Sequence, residues 1–326
     1  MQLQSVQDLP DLWKETYDLV AQVPPGKFTT YGAVAKALGD ITASRFVGLA
    51  MSKNDDIVRV PCRRVVQSDG YLGGYTGGGA LKKRSLLRNE GVEIKGTKVI
   101  DFEKVLFTDF KTRDPKPLEE IRARQSRLKK RLVLGEFKNW IDRVAGIDVA
   151  YEGSHAYAAM VTLDYKTLDE VDRRVTEGDA EFPYVPTYLG FREIPIIATL
   201  MKRVPKGTVI MYDGNGILHP EGFGIASQLG VVFDVPVVGV AKKLLCGRVS
   251  DQERDGAHEV VMGGEVIGYT LARLGQSRPV YISPGHKVSL GQALEIARAT
   301  LKFRVPEPVR MAHIAAEAAK RGTNHK

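Results

Sequence analysis

The 326-residue chain is 43% hydrophobic and 26% charged with a formal net charge of +8. That composition excludes a disordered chain, the length suggests about two domains, and the charge permits a nucleic-acid partner without demanding one. Two cysteines, Cys62 and Cys246, argue against a disulfide framework, while the opening MQLQSVQDLPDLWK lacks a signal's apolar core and no stretch reaches the ~18–20 apolar residues of a membrane span. A cytoplasmic monomer is the expectation.

In chain order, residues 11–22 repeat apolar positions at Leu12, Trp13, Tyr17, Leu19 and Val20, a helical spacing. After PPGKFTT, the run TYGAVAKALG reads as a second helix with Thr29 or Thr30 as its cap and Gly39 as its stop. A short turn leads to ASRFVGLAM, so the pair is a helix-turn-helix candidate, a weak signal because many core helix pairs read the same. The stretch TDFKTRDPKPL, residues 108–118, carries two prolines and crowded charge and reads as a domain boundary, against the ordinary surface loop. The basic run RARQSRLKKR, residues 122–131, reads as a solvated helix face, with a DNA-backbone contact as the rival. VAGIDVAY, AYAAMVTLDY, GTVIMYDGNG and VPVVGVAKK are strand-like, and PVRMAHIAAEAAKR is a closing amphipathic helix. Alternating strands and helices predict an α/β domain.

Cys62 sits between Pro61 and the pair Arg63 and Arg64. The thiolate is the nucleophilic form of cysteine, and nearby positive charge lowers a thiol pKa. On composition alone, a lone cysteine is more often a buried structural residue. Gly73, Gly74, Gly77, Gly78 and Gly79 lack the spacing of a phosphate loop and read as a tight loop over the cysteine. The run Pro61-Cys62-Arg63-Arg64-Val65, with TTYGAVAKALG, SRFVGLAMSKN, GYLGGYTGG and LLRNEG in order, resembles the O6-alkylguanine-DNA alkyltransferases over residues 10–95. The resemblance implies that Cys62 accepts the alkyl group by direct displacement and that Tyr31 helps flip the nucleotide and protonates the departing guanine. It further implies that Arg45 fills the hole left in the duplex, that Asn54 and Glu90 support the site, and that Tyr75 and Thr76 line the guanine pocket. Arg63 stands where the family has the histidine that activates the thiol. An arginine stays protonated and cannot act as a base, although its charge favours a thiolate. Chemistry at O6 requires the base to leave the stack, because the duplex shields it.

Asp148 and Asp213 end two apolar runs, where α/β domains place their sites, and carboxylates suit Mg²⁺ or Mn²⁺. Taken singly, Asp213 in Asp-Gly-Asn-Gly is more readily a turn residue than a ligand. AGIDVAY, FPYVPTYLGFREIP, DGNGILHPEGFGIASQLG, GVAKKLLCG and ISPGHKVSL, in this order, resemble endonuclease V, a nuclease with a ribonuclease H-like fold, over residues 118–315. The resemblance implies that Asp148 and Asp213 bind the metal and that Glu193 completes the acidic cluster. His313, on the last helix, would face the same site, and Lys242 would hold the scissile phosphate or water. Nicking would fall at the second phosphodiester bond 3′ to deoxyinosine. Pro183, Tyr184 and Pro186 form a stiff segment suited to holding strands apart while the lesion base is extruded. Leu189 and the backbone at Gly214 would form its pocket. His286 reads as bracing the fold in preference to touching phosphate, and Cys246 as core.

These readings combine into an α/β chain: a mainly α, winged helix-turn-helix-like domain over 1–110, a linker over 111–118, and an α/β ribonuclease H-like domain over 119–326. The expected function is bifunctional repair of DNA carrying alkylated guanine or deoxyinosine. The rivals are a non-catalytic alkyl-lesion sensor fused to an active nuclease, a winged-helix regulator with an unrelated metal nuclease, and inosine-containing RNA as the nuclease substrate.

Overall fold

The computed structural model describes residues 3–254, 256–273 and 278–323, which form two compact units. One comprises Leu9–Arg124 together with Phe182–Pro186; the other comprises Gln125–Glu181, the chain from Thr187 onward, and residues 3–8. The division falls inside the helix Pro117–Lys129, beyond the expected linker. The stretch before that helix is tied down: Lys111 N–H donates to Gln22 Oε1 at 2.8 Å, and Arg113 pairs with Glu15 at 3.2 Å.

In the unit of Leu9–Arg124, Asp11 caps the helix Leu12–Ala21 by accepting from the N–H groups of Trp13 and Lys14, both at 3.0 Å. Thr30 caps the helix Tyr31–Leu38 through the Ala33 N–H at 3.0 Å, and Gly39 ends it at φ +108°, a conformation that favours glycine. The helix Ser44–Ser52 follows after a single tight turn. Val65–Val66 pairs in parallel with Thr29–Thr30, which brings the turn carrying Cys62 beside the start of the Tyr31 helix. Phe28, Val66, Leu72, Leu87 and Val92 form a core beneath this pairing.

The other unit is built on a nine-stranded sheet. Its centre sets Arg143–Glu152 parallel to Thr208–Asp213, which in turn lies parallel to Val237–Ala241. His155–Asp164 and Glu170–Asp179 extend one side antiparallel, and Val280–His286 leads the other side outward. Strand side chains alternate between faces. Val144, Ala150, Val209 and Met211 accordingly share a core with the helices Leu290–Ala299 and Glu307–Thr323. Gly146 permits the last helix to approach, since a Cβ there would stand 1.9 Å from the Pro308 carbonyl oxygen. Helices Leu189–Ile197 and Ile225–Phe233 cover the opposite face, and the turn Leu3–Val6 packs on them with Val6 fully buried. Among the described residues no helix is long and apolar enough to cross a membrane.

Candidate active sites

A single tight turn, Cys62–Arg64, presents the cysteine. Buried Asn54 braces its approach by donating Nδ2–H to the Val60 carbonyl at 2.9 Å. Cys62 is 4% exposed and lines a cavity of about 270 Å³ with Tyr31, Gly48, Ser52, Gly74, Tyr75 and Thr76. At ~30 Å³ per water that is room for several waters or one flipped base. Tyr31 stands between two close glycines: a Cβ on Gly48 would lie 3.9 Å from its ring and one on Gly73 3.6 Å from its hydroxyl. Burial, with the charge of Cys62 second, pushes the Tyr31 hydroxyl pKa up, so it stays a proton donor. Tyr75 is pushed up by the same two causes in the same order. Exposed Arg45 precedes the cavity-lining Gly48 and Ser52 by three and seven residues, which places all three on one helix face.

The arginines beside Cys62 are committed elsewhere. Arg63 Nε donates to Glu90 Oε1 at 2.7 Å, while Arg64 donates to both Glu90 oxygens at 2.7 and 3.0 Å. Burial pushes the Glu90 carboxyl up, but the hydrogen bonds from Arg64 and Arg63 outweigh it and hold the group below its ordinary range. Glu90 thus offsets one of the two positive charges, and among the described residues no side chain hydrogen-bonds the Cys62 thiol.

Lys83 escapes sequence reading because KKR looks like a solvated run. It is fully buried on the same helix face as Leu87, four residues on, and that helical spacing is the available signal. Its Nζ donates to the carbonyls of Val65 at 2.6 Å, Gly74 at 3.3 Å, and Leu72. Burial lowers its pKa to about 8, opposed by the charge of Cys62.

The second site follows from strand register. Ile147 is paired with Tyr212 across parallel strands, so Asp148 and Asp213 stand side by side one residue further on. Burial raises the Asp213 carboxyl pKa, the charge of Asp148 adds to it, and Lys242 opposes both through an ion pair to Asp213 Oδ2. His313 Nδ1 pairs with Asp148 Oδ2 at 2.8 Å from the last helix. Two hard-oxygen carboxylates strained by each other's charge fit a divalent cation such as Mg²⁺ or Mn²⁺. Glu193 is held differently. Tyr151 and Tyr212 point to the other sheet face and hydrogen-bond its two oxygens, Tyr151 at 3.2 Å. Burial pushes Glu193 up to about 7 against those two hydrogen bonds, with a further rise from the charge of Asp148. Among the described residues no three His, Cys, Asp or Glu side chains gather as a ligand set. The structure joins Asp148 to His313 and Asp213 to Lys242, while Glu193, carried by the helix Leu189–Ile197 and tied to Tyr151 and Tyr212, lies within electrostatic reach of Asp148.

A family profile described as Endonuclease V matches residues 126–314, and one described as 6-O-methylguanine DNA methyltransferase, DNA binding domain, matches residues 11–92. A bifunctional methyltransferase/endonuclease of Picrophilus torridus is 36% identical over 95% of this chain and 97% of its own length. The chain belongs to the bifunctional methyltransferase/endonuclease family. Its nuclease part is also similar to the endonuclease V of Thermofilum pendens, at 44% identity over 62% of this chain and 89% of that protein. Among solved structures, endonuclease V of Streptomyces avermitilis is 37% identical with a TM-score of 0.58, covering 65% of this chain and 96% of its own. The Ciona intestinalis endonuclease V, solved with DNA containing an inosine followed by a ribo-adenosine, is 26% identical with a TM-score of 0.56, covering 63% and 98%.

Tyr184 is 54% exposed between buried Pro183 and Val185, with Pro186 next. Leu189 begins the helix that carries Glu193. Gly214 follows Asp213, where a Cβ would meet Ile225 Cγ2 at 2.7 Å. His286 braces the fold: it is 2% exposed, and its Nδ1 accepts the Val133 N–H at 3.2 Å. His219 is buried and accepts the Glu221 N–H at 3.2 Å. Cys246 is half-buried at the edge of a small apolar cluster. The basic run spends Arg122 on Asp40 and Arg124 on Glu120, both at 2.6 Å, and Lys129 on the Glu221 carbonyl.

Proposed function

We propose that the chain removes alkyl groups from guanine O6 in DNA by transfer to Cys62 and nicks DNA near deoxyinosine through Asp148 and Asp213. The observation that carries the first activity is the cavity lined by Cys62 and Tyr31 together. The Cys62 thiolate attacks the alkyl carbon, the carbon–O6 bond breaks, and its electron pair leaves on guanine. Tyr31 donates the proton that neutralises the base, and solvent returns it. Arg45, at the cavity face of its helix, occupies the space of the extruded nucleotide, while Tyr75 and Thr76 bound the base. The helices Tyr31–Leu38 and Ser44–Ser52 are read as a helix-turn-helix with the winged topology, and the second unit as ribonuclease H-like. Residues 1–110, 111–118 and 119–326 remain the proposed functional division.

In the nuclease, Asp148 and Asp213 would hold Mg²⁺, or alternatively Mn²⁺. A divalent ion bound there supplies an activated water and neutralises charge building on the phosphate. Lys242 holds Asp213 and reaches the phosphate, His313 orients Asp148, and Glu193 completes the acidic cluster. Tyr184, stiffened by Pro183 and Pro186, separates the strands, and Leu189 with Gly214 bounds the extruded hypoxanthine. Cleavage falls at the second phosphodiester bond 3′ to the lesion. Both activities are tested by incubating the full chain with O6-methylguanine duplex and with hypoxanthine duplex, scoring methyl on Cys62 and a nick with a 3′-hydroxyl.

One observation favours a second reading of the first site. Arg63 replaces the expected base and Glu90 is saturated by two guanidiniums, as suits a sensor that binds alkylated guanine without accepting the alkyl group. Lesion binding with no mass gain on Cys62 would establish it.

A further inference from the structure

The nuclease unit holds a second cavity of about 450 Å³ at the edge where the strands Thr208–Asp213 and Val237–Ala241 begin. Asp213 closes the first of these strands, so at ~3.3 Å per residue the cavity lies roughly 17 Å from the carboxylate site. Val133, residues 135–139, 204–208 and 234–236, with Lys287, form its walls. Hydrogen bonds preform them. Lys287 N–H donates to the Val133 carbonyl at 2.7 Å, Phe137 N–H donates to Gln292 Oε1 at 2.7 Å, and Gln292 Nε2 returns a bond to the Phe137 carbonyl at 3.1 Å. Lys287 Nζ is paired with Asp234 at 2.8 Å and so is spoken for.

The rim carries unspent chemistry. Lys138 and Asn139 are exposed on the wall formed by residues 135–139 and Lys206 on that formed by residues 204–208, and among the described residues neither lysine makes an ion pair. Trp140, the next residue after Asn139, is 80% exposed, and its carbonyl abuts cavity-lining Gly207, where a Cβ would stand 3.1 Å away. A large aromatic ring left uncovered beside a preformed pocket marks a binding surface. A ring face, a carboxamide that reads base edges, and two free ammonium groups together match a nucleotide. The exposed Glu136 on the same rim limits how strongly any anion is held. An acidic peptide would use the ring and the lysines but would have no use for Asn139 beside them.

We propose that this cavity and Trp140 form a second nucleic-acid contact, taking a nucleotide of single-stranded DNA with its base against Trp140 and its phosphates between Lys138 and Lys206. The contact needs neither lesion nor metal. It therefore stands or falls separately from the nicking reading.

The chain has two tryptophans, and Trp13 is packed edge-on against Phe46 at 5.1 Å. Trp13→Phe in the full chain leaves Trp140 as the only indole reporter. Titration of that protein with lesion-free oligothymidylate, without divalent metal, is expected to give saturable fluorescence quenching. Adding Lys138→Ala and Lys206→Ala should weaken binding about fivefold or more and make the log–log salt dependence shallower by about 1.4, at ~0.7 per phosphate contact on a single strand. Circular dichroism confirms that the variants fold. Absence of quenching, or quenching indifferent to both lysine substitutions, overturns the proposal. So does quenching by polyglutamate at lower concentration than by the oligonucleotide, which would make the surface a protein-docking site. Quenching by thymidine monophosphate with no gain from a longer strand also overturns it, in favour of a mononucleotide pocket.

Discussion

Lys83→Met separates two things that the buried ammonium does. Its pKa stands at about 8 in place of 10.5 because burial disfavours the charge. At about 1.4 kcal/mol per tenfold change in acidity, the folded chain carries about 3 kcal/mol for keeping it charged at neutral pH. Methionine removes that penalty but leaves the carbonyls of Val65, Leu72 and Gly74 without their donor, at about 1 kcal/mol each. The two changes nearly cancel, so stability at pH 7 should differ by about 1 kcal/mol or less. The pH dependence should not cancel. Between pH 8 and 10.5 the unfolded chain holds a proton on Lys83 that the folded chain has released, so wild-type stability rises with pH across that window. Below pH 8 both states are protonated and the penalty is constant. Urea unfolding at pH 7, 8, 9 and 10 should therefore show wild type gaining on the variant by about 2–3 kcal/mol. Because the lysine ties the cavity wall at Gly74 to the strand after Cys62, methyl transfer by the variant should also slow about tenfold or more. A stability difference that stays flat from pH 7 to 10 would refute the buried-cation account.

Asp213→Ala should reduce nicking of hypoxanthine DNA in Mg²⁺ by about 10³-fold or more, equivalent to about 4 kcal/mol, with a melting temperature close to wild type; retained nicking removes Asp213 from the mechanism. Tyr184→Ala should slow nicking of duplex about tenfold while sparing single strands, because the ring's work is unstacking; an equal loss on both substrates counts against a wedge. Arg63→Ala should slow methyl transfer and Arg63→His speed it, read as rate against pH, and identical rates in all three proteins would show Arg63 to be a bystander. Acid should unlock the Arg63–Glu90–Arg64 cluster: Glu90 is held below its ordinary range, so its stabilisation is complete above about pH 4.3 and lost as pH falls through its lowered value. Glu90→Gln should abolish that step in an acid unfolding profile. Removing residues 1–8 uncovers the site of fully buried Val6 and should lower the nuclease unit's stability by about 1.5–3 kcal/mol, seen as an earlier thermal transition.

Local signals were readable wherever the physics is local. Thr30 and Gly39 mark helix ends because a short hydroxyl and a residue free to take positive φ are what those positions need. Asp213 is conspicuous as a charge closing an apolar run, whereas Asp148, expected at a strand end, interrupts one: it sits within Arg143–Glu152, because pairing with the neighbouring strand carries the ladder on to Glu152. Asp11 caps its helix just as locally, immediately before the apolar Leu12 and Trp13. What escapes is decided by distant partners. Lys83 becomes a buried clamp only because three carbonyls from two separate segments converge on it. Glu193 is placed by where its helix packs, so that Tyr151 and Tyr212 from two separate strands close on it. Residues 3–8 precede the alkyltransferase-like motifs but fold with the nuclease unit, a long-range outcome that proximity in sequence misdirects. The tie between Arg63, Arg64 and Glu90 likewise spans 26 and 27 residues, so the sequence shows the charges but not that they offset one another.

The central claim is that Cys62 still accepts an alkyl group although, among the described residues, no side chain hydrogen-bonds its thiol. Intact-protein mass measurement after long incubation with excess O6-methylguanine duplex tests this directly, with peptide mapping to locate the change. The account predicts a gain of one methyl group, mapped to Cys62 and absent in Cys62→Ala. An unchanged mass in protein shown to bind the same duplex would contradict it and leave the first unit a lesion sensor.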